Sequence, residues 1–368
     1  MRKVWTRAGA GTTRPQVSVP VPERPEIHQI VLPLARAAER TVTNVQVYLI
    51  ESEPLTLVDT GLRSPESHAA LELALEDLGH DLAEIERVIV THAHADHIGL
   101  VDTLRRSGAR LECCVHEADA HTVESWREVI TERSEQIGSL FHEFGVPAAI
   151  LERLEAGRRA RLARLLVEAE PTDVDRILRD ADRLVFKSFE LVVRHSPGHS
   201  PGHILLEDEE LGILFTGDHV MAQAIPDTAS HYLEGGHPDP RDPLRRRPRF
   251  RGLREIRRSL RALRGHRFKR LLPAYGGVIQ RADRAIRDTL LFYDVRIQRI
   301  DRGLRHLAAL GQDVTAYDIW KSLFPQDEPY EVMRAHMILL IGALDCLEDE
   351  GKLETRRRSD GVLIHHHS

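Results

Sequence analysis

The run THAHADHIG (91–99) follows without a break on IERVIV (85–90), and this junction limits the possible folds more than any other feature. IERVIV reads as a buried strand, so the polar residues after it emerge into a loop at the strand's end. His92, His94, Asp96 and His97 crowd into six residues there, and no packing argument explains four such groups in that place. Loops at strand ends are where open α/β sheets place their sites. Alternation sends His92 and His94 to one side, while Asp96 and His97 turn toward a second position. Imidazole together with carboxylate suits zinc, iron or manganese rather than calcium.

The flanking sequence supports an α/β chain. HQIVLPL (28–34), NVQVYLIES (44–52) and LTLVDTG (56–61) are short, β-branched, turn-bounded strands. SPESHAALELALEDLG carries a helix start at Ser64 and a stop at Gly79. IGLVDTLRRSG reads as the next helix and ARLECCVHEAD as the next strand, an alternation in which helices cover a sheet. Residues 120–182 are strongly helical and rich in Glu and Arg, which marks an insertion, either a lid over a site or a dimerisation element. Strands return in DRLVFKSFELVVRHS, in HILLEDEELGILFTGDH with a hairpin turn at DEELG, and in RLLPAYGGVI (270–279). Beyond residue 280 the pattern gives helices at 282–308, 315–324 and 329–351, then a hairpin around SDG. Helix, helix, helix, hairpin is the order of a winged-helix module. The expected organisation is a loose Pro-rich arm at 1–26, a main domain at 27–280 and a C-terminal domain at 281–368.

A second histidine cluster, HSPGHSPGH (195–203), spaces His195, His199 and His203 four apart. A helix would stack them on one face, but Pro197 and Pro201 forbid a helix. In an extended chain neighbouring histidines would lie roughly 13 Å apart, too far for one ion to take all three. Composition adds limits. With 42% apolar and 29% charged residues the chain is an ordinary globular one, and no run approaches membrane-span length. Three cysteines cannot build a disulfide framework, which points to a reducing, cytoplasmic setting. The closing HHHS reads as an exposed, chemically idle end.

THAHADHIG matches the H-x-H-x-D-H signature of the metallo-β-lactamase superfamily, the hydrolases that include glyoxalase II. Three further stretches resemble that family in the same order: LVDTG with Asp59, HSPGHSPGH, and LFTGDHV with Asp218. The resemblance spans residues 28 to about 280 and implies an αββα sandwich with a small winged-helix-like C-terminal domain, as in the glyoxalase II-like branch. It implies a first metal position at His92, His94 and His199, and a second at Asp96 and His97, with Asp218 bridging. One or two zinc ions are expected, with iron or manganese as alternatives. Asp59 would support a ligand, His195 and His203 would hydrogen-bond loop backbone, and His116 in VHEAD would stand beside the ligands. The implied activity is hydrolysis of a thioester, ester or lactone by a metal-activated hydroxide.

One position departs from the family. Its strand-end P-G-H-G histidine falls in LLPAYGG, where this chain has Tyr275. Tyr275 leaves the second position short of a ligand, or coordinates as tyrosinate, or is replaced by His219, His231 or His237; the weakened second position ranks first. Tyr275 and Asp96 are the catalytic candidates, the phenol as a donor to a substrate oxyanion. Residues 245–270 hold thirteen Lys or Arg and a single Glu, either a solvated helix face or a patch at the site mouth that attracts an anionic substrate. Phosphodiester or RNA hydrolysis is the alternative activity, although the last helix, nearly free of Lys and Arg, has little phosphate footprint. A degenerate, non-catalytic binding protein is the third reading, motivated by Tyr275.

Overall fold

NVQVYLI is buried along nearly its whole length, the mark of a strand packed on both faces. It is β3 (Asn44–Ile50) of a seven-stranded sheet whose order follows the chain. Its companions are β1 (Ser18–Val21), β2 (Arg24–Pro33), β4 (Thr56–Val58), β5 (Arg87–Ile89), β6 (Glu112–His116) and β7 (Arg176–Leu178). Pairing is antiparallel from β1 to β4 and parallel from β4 to β7. The parallel steps need crossovers, and these are helical. The first is α1 (Pro65–Leu78), where the Ser64 side chain accepts from Ser67 N, Pro65 opens the helix, and Gly79 closes it at φ 85°. The second combines α2 (Ala95–Ile98) and α3 (Val101–Arg106). The third is longer: α4 (Glu117–Glu124), α5 (Trp126–Glu143) and α6 (Ala148–Glu168).

A second sheet has the order β14-β11-β10-β9-β8, built from β8 (Arg183–Val185), β9 (Glu190–His195), β10 (Ile204–Asp208) and β11 (Ile213–Gly217). After the ribbon β12 (Ser230–Tyr232) and β13 (Arg249–Arg251), β14 (Arg270–Pro273) joins β11 in parallel. The inner faces of the two sheets meet through Ile27, Ile50, Val193, Leu206 and Phe215, with Tyr48 set edge-on to Phe215 at 5.2 Å. The Tyr48 hydroxyl crosses the layer and donates to Pro273 O at 2.8 Å. Outside the first sheet lie α1 and α3; outside the second lie α7 (Gly252–Ala262) and α8 (Ala282–Ala308). The layers therefore run α/β/β/α. Beyond α8 come α9 (Ala316–Leu323), α10 (Tyr330–Asp349) and the hairpin β15 (Leu353–Arg357) and β16 (Leu363–His367). This computed structural model describes residues 18–34, 42–222, 224–238, 240–311, 313–324 and 328–367.

Several sequence expectations change. Part of the expected loose arm lies outside the described residues, but Ser18–Val21 and the start of Arg24–Pro33 are paired strands, because β2 needs a partner on its free edge. The helical insertion ends at Glu168, and residues 176–178 form an edge strand of the first sheet instead. His365 is not exposed: it is buried, and its ring stacks on Phe144 with centroids 6.1 Å apart. The basic run does not face the site. Arg246 pairs with Glu348, Arg249 with Asp345 and Arg257 with Asp294, so it fastens α7 and its approach to α8 and α10. Arg357 likewise turns inward to Glu143 at 2.5 Å, and Arg358 pairs with Asp360. Among the described residues no helix is long and apolar enough to cross a membrane.

Candidate metal centre

The loop after β5 and the loop between β9 and β10 come together at one end of the sandwich. Asp119, at the start of α4, joins them: one carboxylate accepts from Ala93 N at 2.9 Å, Ser200 Oγ at 2.7 Å and Gly202 N at 2.8 Å. Gly202 is required there, since a Cβ on it would stand 2.6 Å from Asp119 N. The sequence reading missed Asp119, because nothing local in VHEAD marks it; only the closeness of the two loops gives it a role.

His92, His94 and His199 converge. His94 Nδ1 lies 3.0 Å from His92 Nε2 and 2.9 Å from His199 Nε2. The tautomers follow from the outer bonds. Thr91 Oγ1 donates to Asp59 Oδ2 at 2.8 Å and so accepts from His92 Nδ1 at 3.1 Å. His199 Nδ1 donates to Asp227 O at 2.8 Å. His92 and His199 thus turn a lone pair inward, toward His94 Nδ1. Burial and the neighbouring rings hold His92 well below the usual histidine pKa; burial, then His199 and His97, do the same for His94. Converging neutral acceptors repel unless a cation lies between them. Ligand nitrogens about 2.0–2.1 Å from a tetrahedral zinc stand roughly 3.3 Å apart, so the three rings fit a divalent ion with little adjustment.

A second group lies alongside. His97 Nδ1 donates to Asp59 Oδ2 at 2.8 Å, leaving Nε2 aimed inward, 3.4 Å from Asp218 Oδ1 and 4.0 Å from Asp96 Oδ1. Asp218 Oδ2 lies 3.3 Å from His199 Nε2, so its two oxygens face the two groups. Among the described residues His97 Nε2 and Asp218 Oδ1 are buried without a hydrogen-bond partner, as open coordination positions would be. Burial opposes charge on His97, yet Asp59 and Asp218 outweigh it and raise its pKa to about 10; burial pushes Asp218 up to about 6. The pocket thus carries negative charge that a cation would balance. Asp96 is engaged elsewhere: the Tyr275 hydroxyl donates to its Oδ2.

The remaining candidates lie around this centre. His203 Nε2 accepts from Asp218 N at 3.1 Å and so holds that residue's backbone. His195 Nε2 donates to Pro201 O at 2.9 Å, and its ring stacks on His116 at 3.9 Å, away from the converging nitrogens. His219 is buried 5.5 Å from the His203 ring, with neither ring nitrogen partnered. His231 sits on the wall of the cavity above the centre, and His237 is exposed; among the described residues the two metal-competent groups are His92–His94–His199 and His92–His97–Asp218. That cavity, about 580 Å³, is walled by α5, α6 and α10 and floored by His94, Asp96, His199, Asp218 and Tyr275.

Known proteins resemble this chain in sequence and fold. The profile of the metallo-beta-lactamase superfamily matches residues 40–267. The Bacillus subtilis protein named "Probable metallo-hydrolase YqjP" is 27% identical over 313 residues, 84% of this chain and 89% of its own. The bovine "Acyl-coenzyme A thioesterase MBLAC2" is 31% identical over 183 residues, 48% of this chain and 58% of its own. The fold is that of a metallo-beta-lactamase family protein from Thermus thermophilus, with TM-score 0.69 and 23% identity over 94% of this chain and 99% of the other. It is also that of a beta-lactamase domain protein from Burkholderia ambifaria, with TM-score 0.74 and 20% identity over 97% and 96%. The profile match takes in every candidate ligand except Tyr275, and on that ground the chain belongs to the metallo-β-lactamase superfamily.

Proposed function

We propose that this protein is a metal-dependent hydrolase of a thioester, ester or lactone, with its first ion held by His92, His94 and His199. The observation that carries the reading is the convergence of three imidazoles on the floor of a cavity large enough for a small organic substrate. The bovine relative's thioesterase name supports the thioester among the three. His97 and Asp218 would hold a second, weaker ion, with Asp96 divided between that ion and Tyr275. Zinc suits the nitrogen-rich first set, and such ions supply a Lewis acid and activate water near neutral pH.

The chain's own groups do the rest. Asp218, set between the two histidine groups, orients the attacking water and accepts its hydrogen bond. Asp96, on the cavity floor, takes the proton released as the water adds to the carbonyl. Tyr275 keeps that carboxylate in place, and with its one hydroxyl proton given to Asp96 it acts through that residue rather than as the donor to a substrate oxyanion expected from the sequence. The walls of α5, α6 and α10 exclude bulk water, which strengthens each of these interactions.

The test is metal analysis of chelator-free protein alongside turnover of thioester and lactone panels. One tight equivalent, and turnover abolished in His92→Ala and His199→Ala, is the expected result. Bound metal with no turnover, or turnover indifferent to both substitutions, overturns the reading.

A further inference from the structure

Four arginines line the cavity above the metal centre, and none comes from the basic run 245–270. Arg161 and Arg164 on α6 share Glu331 of α10, at 2.7 and 2.8 Å, and Arg334 reaches the same carboxylate at 3.5 Å. Arg133 differs. It projects from α5 on the stripe Trp126, Ile130, Arg133, Ile137, whose i, i+4, i+7, i+11 spacing turns one helix face to the cavity. Its Nη2 donates to Thr122 Oγ1 at 3.1 Å, and among the described residues no carboxylate lies within ion-pair distance of it. Burial lowers its pKa, with Asp119, Glu234 and Glu132 opposing only at long range. Its neighbour His231, held down to about 3 by burial first and by Arg133 second, stays neutral and adds no second positive charge beside it. A guanidinium on an apolar stripe without a carboxylate partner is costly unless something else balances it.

We infer that Arg133 is the recognition residue for an anionic group of the substrate, a carboxylate or a phosphate, held in the cavity away from the bond that is cleaved. A planar guanidinium with free donors suits both groups bidentately. The apolar remainder of the stripe then contacts the uncharged part of the molecule. Arg161, Arg164 and Arg334 are matched on the lining by Glu168, Glu331 and Asp227, the last 3.9 Å from Arg334 Nη2, which leaves Arg133 as the lining arginine without an ion pair among the described residues. An anion entering the cavity is attracted by that unpaired charge. The inference rests on the hydrolase reading and names the class of substrate that reading leaves open.

The experiment uses the full chain loaded with zinc. Two pairs of probes separate the sources of the anion: butyryl-coenzyme A against butyryl-pantetheine for phosphate, and glutaryl-pantetheine against pentanoyl-pantetheine for carboxylate. In Arg133→Met the ratio of anionic to neutral kcat/KM falls about tenfold or more in at least one pair, through KM, and Arg133→Lys recovers most of it. An unchanged ratio in both pairs overturns the inference. Calorimetric titration with coenzyme A and with glutarate tests Arg133 independently of turnover. Binding about tenfold weaker in Arg133→Met upholds the assignment even if no thioester is cleaved, in which case only the hydrolase reading fails. Equal binding in wild type and variant, or none of either probe to the wild type, overturns it.

Discussion

Asp59 serves two ligand candidates at once. It takes the Nδ1 proton of His97 directly and steers His92 through the Thr91 hydroxyl. It does so at φ 62°, a left-handed backbone that non-glycine residues seldom adopt, which turns its carboxylate back under β5. Removing it should loosen metal binding without removing a ligand. Asp59→Ala is expected to weaken zinc binding about 10- to 100-fold, measured by competition with a chromophoric chelator. Tyr275 works in the opposite sense, since its hydroxyl holds Asp96. Tyr275→His replaces a poor neutral ligand with a good one, and a second zinc equivalent should bind at lower free metal in an equilibrium titration. If the two titrations superimpose, the idea that Tyr275 weakens the second position fails.

At the scale of elements, the metal centre depends on how two loops are clamped. Asp119 gathers three donors from the loops that carry His92, His94 and His199, and two of those donors are backbone N–H groups. Asp119→Ala should cost about 2–4 kcal/mol in urea unfolding of the metal-free protein, since buried donors are left unmatched. Asp119→Asn should cost less, because one acceptor oxygen remains. Measuring without metal separates the clamp from its effect on the ligands. Helix limits were open to sequence reasoning wherever a cap marks them, as Ser64 and Gly79 do for α1. Clamps of this kind were not, because Asp119 and Gly202 are distant in sequence and each is ordinary in its own stretch.

At the scale of the whole molecule, the cavity exists because α5 and α6 meet α10 across the ligand loops. Gly145 sits at φ 93° with no room for a Cβ beside Thr315, and Tyr317 N donates to Phe144 O at 3.1 Å, so the end of α5 is seated on the start of α9. His365 lies under the same joint. Burial, followed by His366, Arg249 and Arg246, lowers its pKa to about 3. An unfolded chain binds that proton below about pH 6.5, and the folded chain does not until about pH 3. Stability therefore falls as pH drops through 6.5, by about 2 kcal/mol from this residue between pH 6.5 and 5. The wild-type urea midpoint should decline more steeply over that interval than that of His365→Leu. Parallel declines would show that His365 is not the titrating group.

What the sequence determined by itself is local chemistry: strand-end histidines at short spacing, the caps of α1 and the succession of strands and helices along the chain, all readable because neighbours in the chain decide them. The tight cluster in 91–97 needs only a strand and a turn to present itself, so His92, His94 and His97 could be singled out from the motif alone. Only the tertiary structure decided how charge is spent. The conspicuous basic run turned out to be bound to acids of α8 and α10, while the cavity's unpaired positive charge is Arg133 of α5, the other lining arginines being matched by Glu168, Glu331 and Asp227. The reason is physical: the field in a cleft is the sum over groups brought together by packing, and a charge already matched by a carboxylate contributes little to it.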